Sequence, residues 1–155
     1  MSAIRWFNER MVYDSSKLST SMHDLAARLY REHHVLDALC WDLYKAVNAG
    51  DRGRANEKFN EFIAMVEPHF HDEDDVLFVG VVATHPSLQS FAIDMAKEHD
   101  KMRSLAAEMR AELEQPFSEA TLFQCERLLR VLRGHAQKEE LLLFQHADAA
   151  ASDTK

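Results

Sequence analysis

Along most of the chain, apolar positions recur at alternating steps of three and four residues, in four separate stretches. The first stripe reads Leu29, His33, Leu36, Cys40, Leu43, Val47. The second reads Phe59, Phe62, Val66, His69, Glu73 and continues into Val76 or Leu77. The third is Leu88, Ala92, Met95, His99, Met102, Ala106, Met109, Leu113. The fourth is Thr121, Cys125, Leu128, Leu132, His135, Glu139, Leu142, His146. Such steps place side chains on one face of an α-helix. They predict a first helix from about Ser21 to Asn48, ended by Ala49-Gly50, and a second after the tight connection Asp51-Arg-Gly53-Arg54. The third starts at Pro86, well suited to a first turn, and stops at Gln115-Pro116; the fourth follows Ser118 as N-cap, with Glu119 in its first turn. Pro68 lies inside the second helix and is expected to kink or loosen the turn before His69. The segment from Val79 to Pro86 is β-branched, but no second strand is there to pair with it, so it reads as a helix end and a loop.

Four long amphipathic helices with short connections predict an all-α fold, an antiparallel up-down-up-down four-helix bundle. The bundle spans residues 19–148. An N-terminal arm, 1–18, carries Ile4, Trp6, Phe7, Met11 and Val12 and is expected to pack on the body, with a partner-binding segment as the alternative; 149–155 reads as a flexible tail.

Composition agrees with this and narrows the partners. With only 4 Gly and 3 Pro in 155 residues, there is little material for a turn-rich β protein. A net charge of −8 argues against nucleic acid or an anionic membrane as the main partner. The longest near-continuous apolar run, Val76 to Ala83, is too short to span a bilayer, and the N-terminus has no signal-like hydrophobic core. These features point to the cytoplasm. Cys40 and Cys125 are too few for a disulfide scaffold and read as reduced, buried thiols.

The 9 histidines are the unusual count, and five of them stand in the apolar stripes, the last, His146, about two turns beyond Glu139. His69 and Glu73 form an i, i+4 pair; so do His135 and Glu139, 66 residues later. The same offset carries His33 onto His99, Glu32 onto Glu98, Val66 onto Leu132 and Pro68 onto Gly134. The chain is therefore two copies of one helical hairpin, and a pseudo-two-fold would bring His33, His69, Glu73, His99, His135 and Glu139 to one level of the core. Two buried His–Glu pairs could simply hydrogen-bond each other. Four imidazoles and two carboxylates with no Lys or Arg in the stripes beside them are nonetheless a costly polar load, several kcal/mol for each unpaired charge. Cations relieve it. Six N/O ligands exceed one tetrahedral zinc and suit two ions, each with two histidines, both carboxylates bridging. Mixed imidazole and carboxylate ligation points to iron, with manganese or zinc as alternatives.

The pattern His, His-x-x-x-Glu, His, His-x-x-x-Glu on four successive helices resembles the hemerythrin HHE cation-binding family, over roughly residues 20–148. The resemblance implies that His33, His69, Glu73, His99, His135 and Glu139 ligate two non-haem iron ions, with Glu73 and Glu139 bridging. It implies a small ligand: O₂, peroxide or nitric oxide. The alternative within the family is an iron or oxygen sensor, or an iron-handling protein, acting through a partner without turnover. Whether there is turnover is left open, as is a homo-oligomer. One position departs. Oxygen carriers of the family have a second histidine four residues after the third-helix ligand, where this chain has Arg103. That puts reversible O₂ carriage in doubt and opens a coordination position. His23, His34, His71, His85 and His146 read as surface or outer residues; Glu32 and Glu98 as exposed residues or orienting partners; Asp72, Asp74, Asp75 and Glu140 as exposed. Leu36, Val66, Met102 and Leu132 on one side, and Leu29, Leu77, Met95 and Leu143 on the other, would make the pocket dry.

Overall fold

A computed structural model describes residues 19–144 and 146. The expected arm, the tail and the side chain of Leu143 lie outside the described residues. Helix α1 is Ser19–Asn48, α2 is Arg52–Asp72, α3 is Phe78–Thr84, α4 is Gln89–Glu114 and α5 is Glu119–Glu139. A π-helical turn, Glu73–Leu77, joins α2 to α3, and a second, Glu140–Phe144, extends α5. α2, its π turn and α3 make one rod, so the architecture is the expected four-helix bundle, with no strand among the described residues. α1 packs on α2 and α5, α4 packs on α5, and α2 touches α4.

The helix ends follow local chemistry. Gly50 takes φ +70° and closes α1, its N–H donating to the Val47 carbonyl while the Asp51 N–H reaches Ala46. The Asp51 side chain then caps α2 by accepting from the Arg54 N–H at 3.0 Å. Ser118 starts α5, its N–H donating to Thr121 Oγ1 at 3.1 Å. Arg52 ties the start of α2 to the end of α4 through the carbonyls of Leu113 and Gln115, each at 2.7 Å.

α2 continues through Pro68, and a π turn follows at Glu73, where the Phe78 N–H reaches back to the Glu73 carbonyl. One expectation is corrected: the segment after Val79 is helical to Thr84, not loop. Val79, Val81 and Val82 are buried there, and burial outweighs the weak helix propensity of β-branched residues. Gly80 allows this close approach: a Cβ on it would lie 2.8 Å from the Met22 methyl.

The core is in two parts. One apolar cluster includes Leu36, Leu43, Phe59, Phe62, Val66, Met102, Met109, Leu128 and Leu132. The other includes Met22, Leu29, Leu77, Phe78, Val81 and Met95. Burial of each such side chain stabilises the fold by about 1.5–3 kcal/mol. Between the two clusters lies a polar layer.

Candidate metal centre

That layer is built by the six stripe residues. His33 comes from α1, His69 from the last turn of α2, Glu73 from the first π turn, His99 from α4, and His135 and Glu139 from the end of α5. All are buried, and Glu73, His99 and Glu139 have no exposed surface. The structure brings these six together.

Their atoms fall into two groups of four, His33–His69–Glu73–Glu139 and Glu73–His99–His135–Glu139, with potential ligand atoms of each within 4.8 Å of one another. Each carboxylate belongs to both groups. Glu73 Oε1 lies 2.8 Å from His69 Nε2 and 3.4 Å from His33 Nε2, while Oε2 lies 3.1 Å from His99 Nε2. Glu139 Oε2 lies 3.3 Å from His33 Nε2, and Oε1 lies 3.2 Å from His135 Nε2. Each glutamate thus gives one oxygen to either histidine pair, as a bridge between two cations requires.

The outer faces of the rings are equally ordered. His69 Nδ1 meets Glu32 at 2.9 Å, and His135 Nδ1 meets Glu98 at 3.1 Å. His99 Nδ1 meets Asp74 at 2.8 Å, and His33 Nδ1 meets Glu140 at 3.0 Å. A carboxylate can only accept here, so each Nδ1 carries a proton and each Nε2 faces the layer, where it can hold a second proton or a cation. Glu32 and Glu98 are therefore orienting partners rather than idle surface residues. Asp74 and Glu140, expected to be exposed, are half-buried and do the same work. In an α-helix the residue after Glu73 would point about 100° away; the π turns let Glu73 and Asp74, and Glu139 and Glu140, both serve the layer. The repeat carried a signal for this pair, since the 66-residue offset places Asp74 on Glu140, acid on acid.

The layer calls for positive charge. The four oxygens of Glu73 and Glu139 are buried, and the histidine ring nitrogens are what faces them among the described residues. Burial favours neutral rings, but the hydrogen bonds and charges of Glu139 and Glu73 outweigh it and lift His33 to about 10. Against their own burial, His135 is raised by Glu139, Glu73 and Glu98, and His99 by Asp74 and Glu73. Burial opposes the Glu73 charge too, yet His69, His135 and His33 hold the carboxyl well below its usual range. Protons alone meet this need poorly. His99 Nε2 and His135 Nε2 are 2.9 Å apart, which leaves room for one proton between them and not two. Cations among the Nε2 atoms and carboxylate oxygens would answer this charge, so the residues fit bound metal.

The remaining histidines stay out of the layer. His23, His34 and His71 are exposed, and His85 and His146 pack against each other at 4.9 Å. Arg103 does not reach the layer either. It bonds Glu67 and Asp100 and lies over the Phe70 ring at 5.3 Å. Phe70 in turn stacks on His99 at 4.1 Å, with Phe78 parallel to the same ring at 5.7 Å. The expected pocket walls are present: Leu36, Val66, Met102 and Leu132 are buried on one side, and Leu29, Leu77 and Met95 on the other.

Fold and site together define a class: a helical bundle with a buried histidine–carboxylate layer suited to cations. The model of the hemerythrin HHE cation-binding domain matches residues 24–147, and the chain belongs to that family. Comparison with curated proteins and with solved structures found no match. Among the described residues, no helix is long and apolar enough to cross a membrane.

Proposed function

We propose that the layer holds two non-haem iron ions, ligated by His33, His69, His99 and His135 and bridged by Glu73 and Glu139, and that the protein binds or reacts with O₂, peroxide or nitric oxide there. The observation that carries this reading is the division of each glutamate's oxygens between two histidine pairs. A di-iron pair supplies redox and Lewis-acid chemistry toward such small ligands. The chain contributes the rest. Glu32, Glu98, Asp74 and Glu140 fix the ring orientations by accepting the Nδ1 protons. The apolar walls exclude water and admit small, weakly polar molecules in preference to bulky substrates.

The test is the absorption spectrum of protein purified from iron-replete cells. A near-ultraviolet charge-transfer band that shifts on adding azide or peroxide supports the reading. Iron-free protein with no such band rejects it. A peroxide- or nitric oxide-consuming rate above that of free iron would make the protein an enzyme; stable adducts without turnover would make it a binder.

A further inference from the structure

The two halves of the layer differ in one respect that bears on how anything reaches it. Beside His33, between α1 and α5, lies a cleft of about 150 Å³ whose lining includes His33, Asp37, Arg133, Ala136 and Glu140. The 66-residue offset carries His33 onto His99 and Ala136 onto Phe70. Beside His99 the equivalent space holds the Phe70 ring, stacked on the imidazole at 4.1 Å and buried to 1% exposure. The exposures agree: His33 keeps 5%, against 0% for His99 and 1% for His69 and His135. The ion pairs flanking the two places also correspond, with their signs exchanged. Arg133 of α5 bonds Asp37 of α1 at 3.1 Å, while Arg103 of α4 bonds Glu67 of α2 at 3.2 Å. Of the differing positions, Ala136 and Phe70 differ most in bulk, and the Phe70 ring lies against His99 where Ala136 leaves a cleft beside His33.

We propose that the cleft between α1 and α5, floored by His33 and kept open by Ala136, is the passage through which metal ions and small ligands reach the buried layer, and that Phe70 seals its counterpart beside His99. This rests on the reading of the layer as a metal centre. The position where Arg103 stands then has a defined part: its guanidinium lies over Phe70 and covers the sealed side. Glu140 spans the passage from the cleft to His33 Nδ1, with its side chain 31% exposed. It and Asp37 give the mouth carboxylates that favour a cation, while the Arg133 bond to Asp37 restricts its width.

The experiment is stopped-flow uptake of Co(II) by metal-free full-length protein, with final stoichiometry measured in the same samples. Ala136→Phe should fill to the wild-type stoichiometry but about tenfold or more slowly, since ions would then depend on local opening of the bundle. Adding Phe70→Ala to that variant should restore fast uptake through the opposite side. Wild-type rates in a folded Ala136→Phe protein would overturn the proposal. If circular dichroism shows that Ala136→Phe does not fold, the exposed pair decides: Asp37→Ala with Arg133→Ala should speed uptake severalfold, and an unchanged rate would overturn the proposal. Wild-type protein that takes up no Co(II) would instead reject the metal-centre reading, and the passage with it.

Discussion

The Nε2 atoms of His99 and His135 stand 2.9 Å apart, while their Nδ1 atoms are turned outward to Asp74 and Glu98. Two lone pairs at that distance repel unless positive charge lies between or beside them. Glu73 Oε2, 3.1 Å from His99, completes the same group. Glu73→Gln should therefore cost at least one of two bound ions, because a neutral amide bridges poorly. Metal analysis beside circular dichroism checks this: helicity retained and metal halved or lost is the expected pair of results. A variant that still holds two ions would remove Glu73 as a bridge.

The outer carboxylates should matter almost as much as the inner ones. Asp74→Ala leaves His99 Nδ1 without its acceptor, and Glu98→Ala does the same to His135. Loss of such a partner lowers metal affinity by about 10- to 100-fold. Asp94→Ala is the control, since Asp94 pairs with Lys97 on the exposed face of α4. Competition with a chelator of known affinity measures all three. Equal affinities would contradict the orienting role.

Metal should stabilise the bundle, with a pH dependence of predictable sign. Free metal at a hundredfold excess over Kd stabilises by about 2.7 kcal/mol, and each kcal/mol is worth about 2–4 °C at this size. Adding chelator should then lower Tm by about 5–11 °C. Without metal, His33 is raised from 6.5 to about 10, so its contribution is full below pH 6.5 and is lost as pH rises toward 10. Proton competition eases over the same window, so the increment due to metal should grow with pH. Thermal melts from pH 6 to 8, with and without Zn(II), check the sign; a constant or shrinking increment would contradict it.

The thiols should be inert in the folded chain. Cys40 is buried, and burial pushes its thiol up; burial likewise pushes Cys125 up to about 12. Cys125 also lies 3.7 Å from the Met109 sulfur, within the apolar cluster. Iodoacetamide should label both about a thousandfold more slowly in native protein than in denaturant, consistent with reaction only on unfolding. Fast labelling of either thiol without denaturant would contradict this burial.

Much of the fold and site was legible because helical periodicity and the repeat report on the same residues. The stripes contained His33, His69, Glu73, His99, His135 and Glu139, and the structure brings those six together. What periodicity missed has physical causes. Asp74 and Glu140 read as exposed because a π turn changes the phase that α-helical counting assumes. Val79 to Val82 read as a loop because β-branched content reflects local propensity, and tertiary burial decided otherwise. The asymmetry between Ala136 and Phe70 needs coordinates, because only packing reveals that one fills a space the other leaves open.

Whether Glu73 and Glu139 bridge two ions is decided by an anaerobic Fe(II) titration of metal-free protein, followed by tryptophan fluorescence and metal analysis after desalting. Saturation is expected at two ions per chain, and at one or fewer when Glu73→Gln and Glu139→Gln are combined. Saturation of the wild-type protein at one ion, or no retained iron at all, would contradict it.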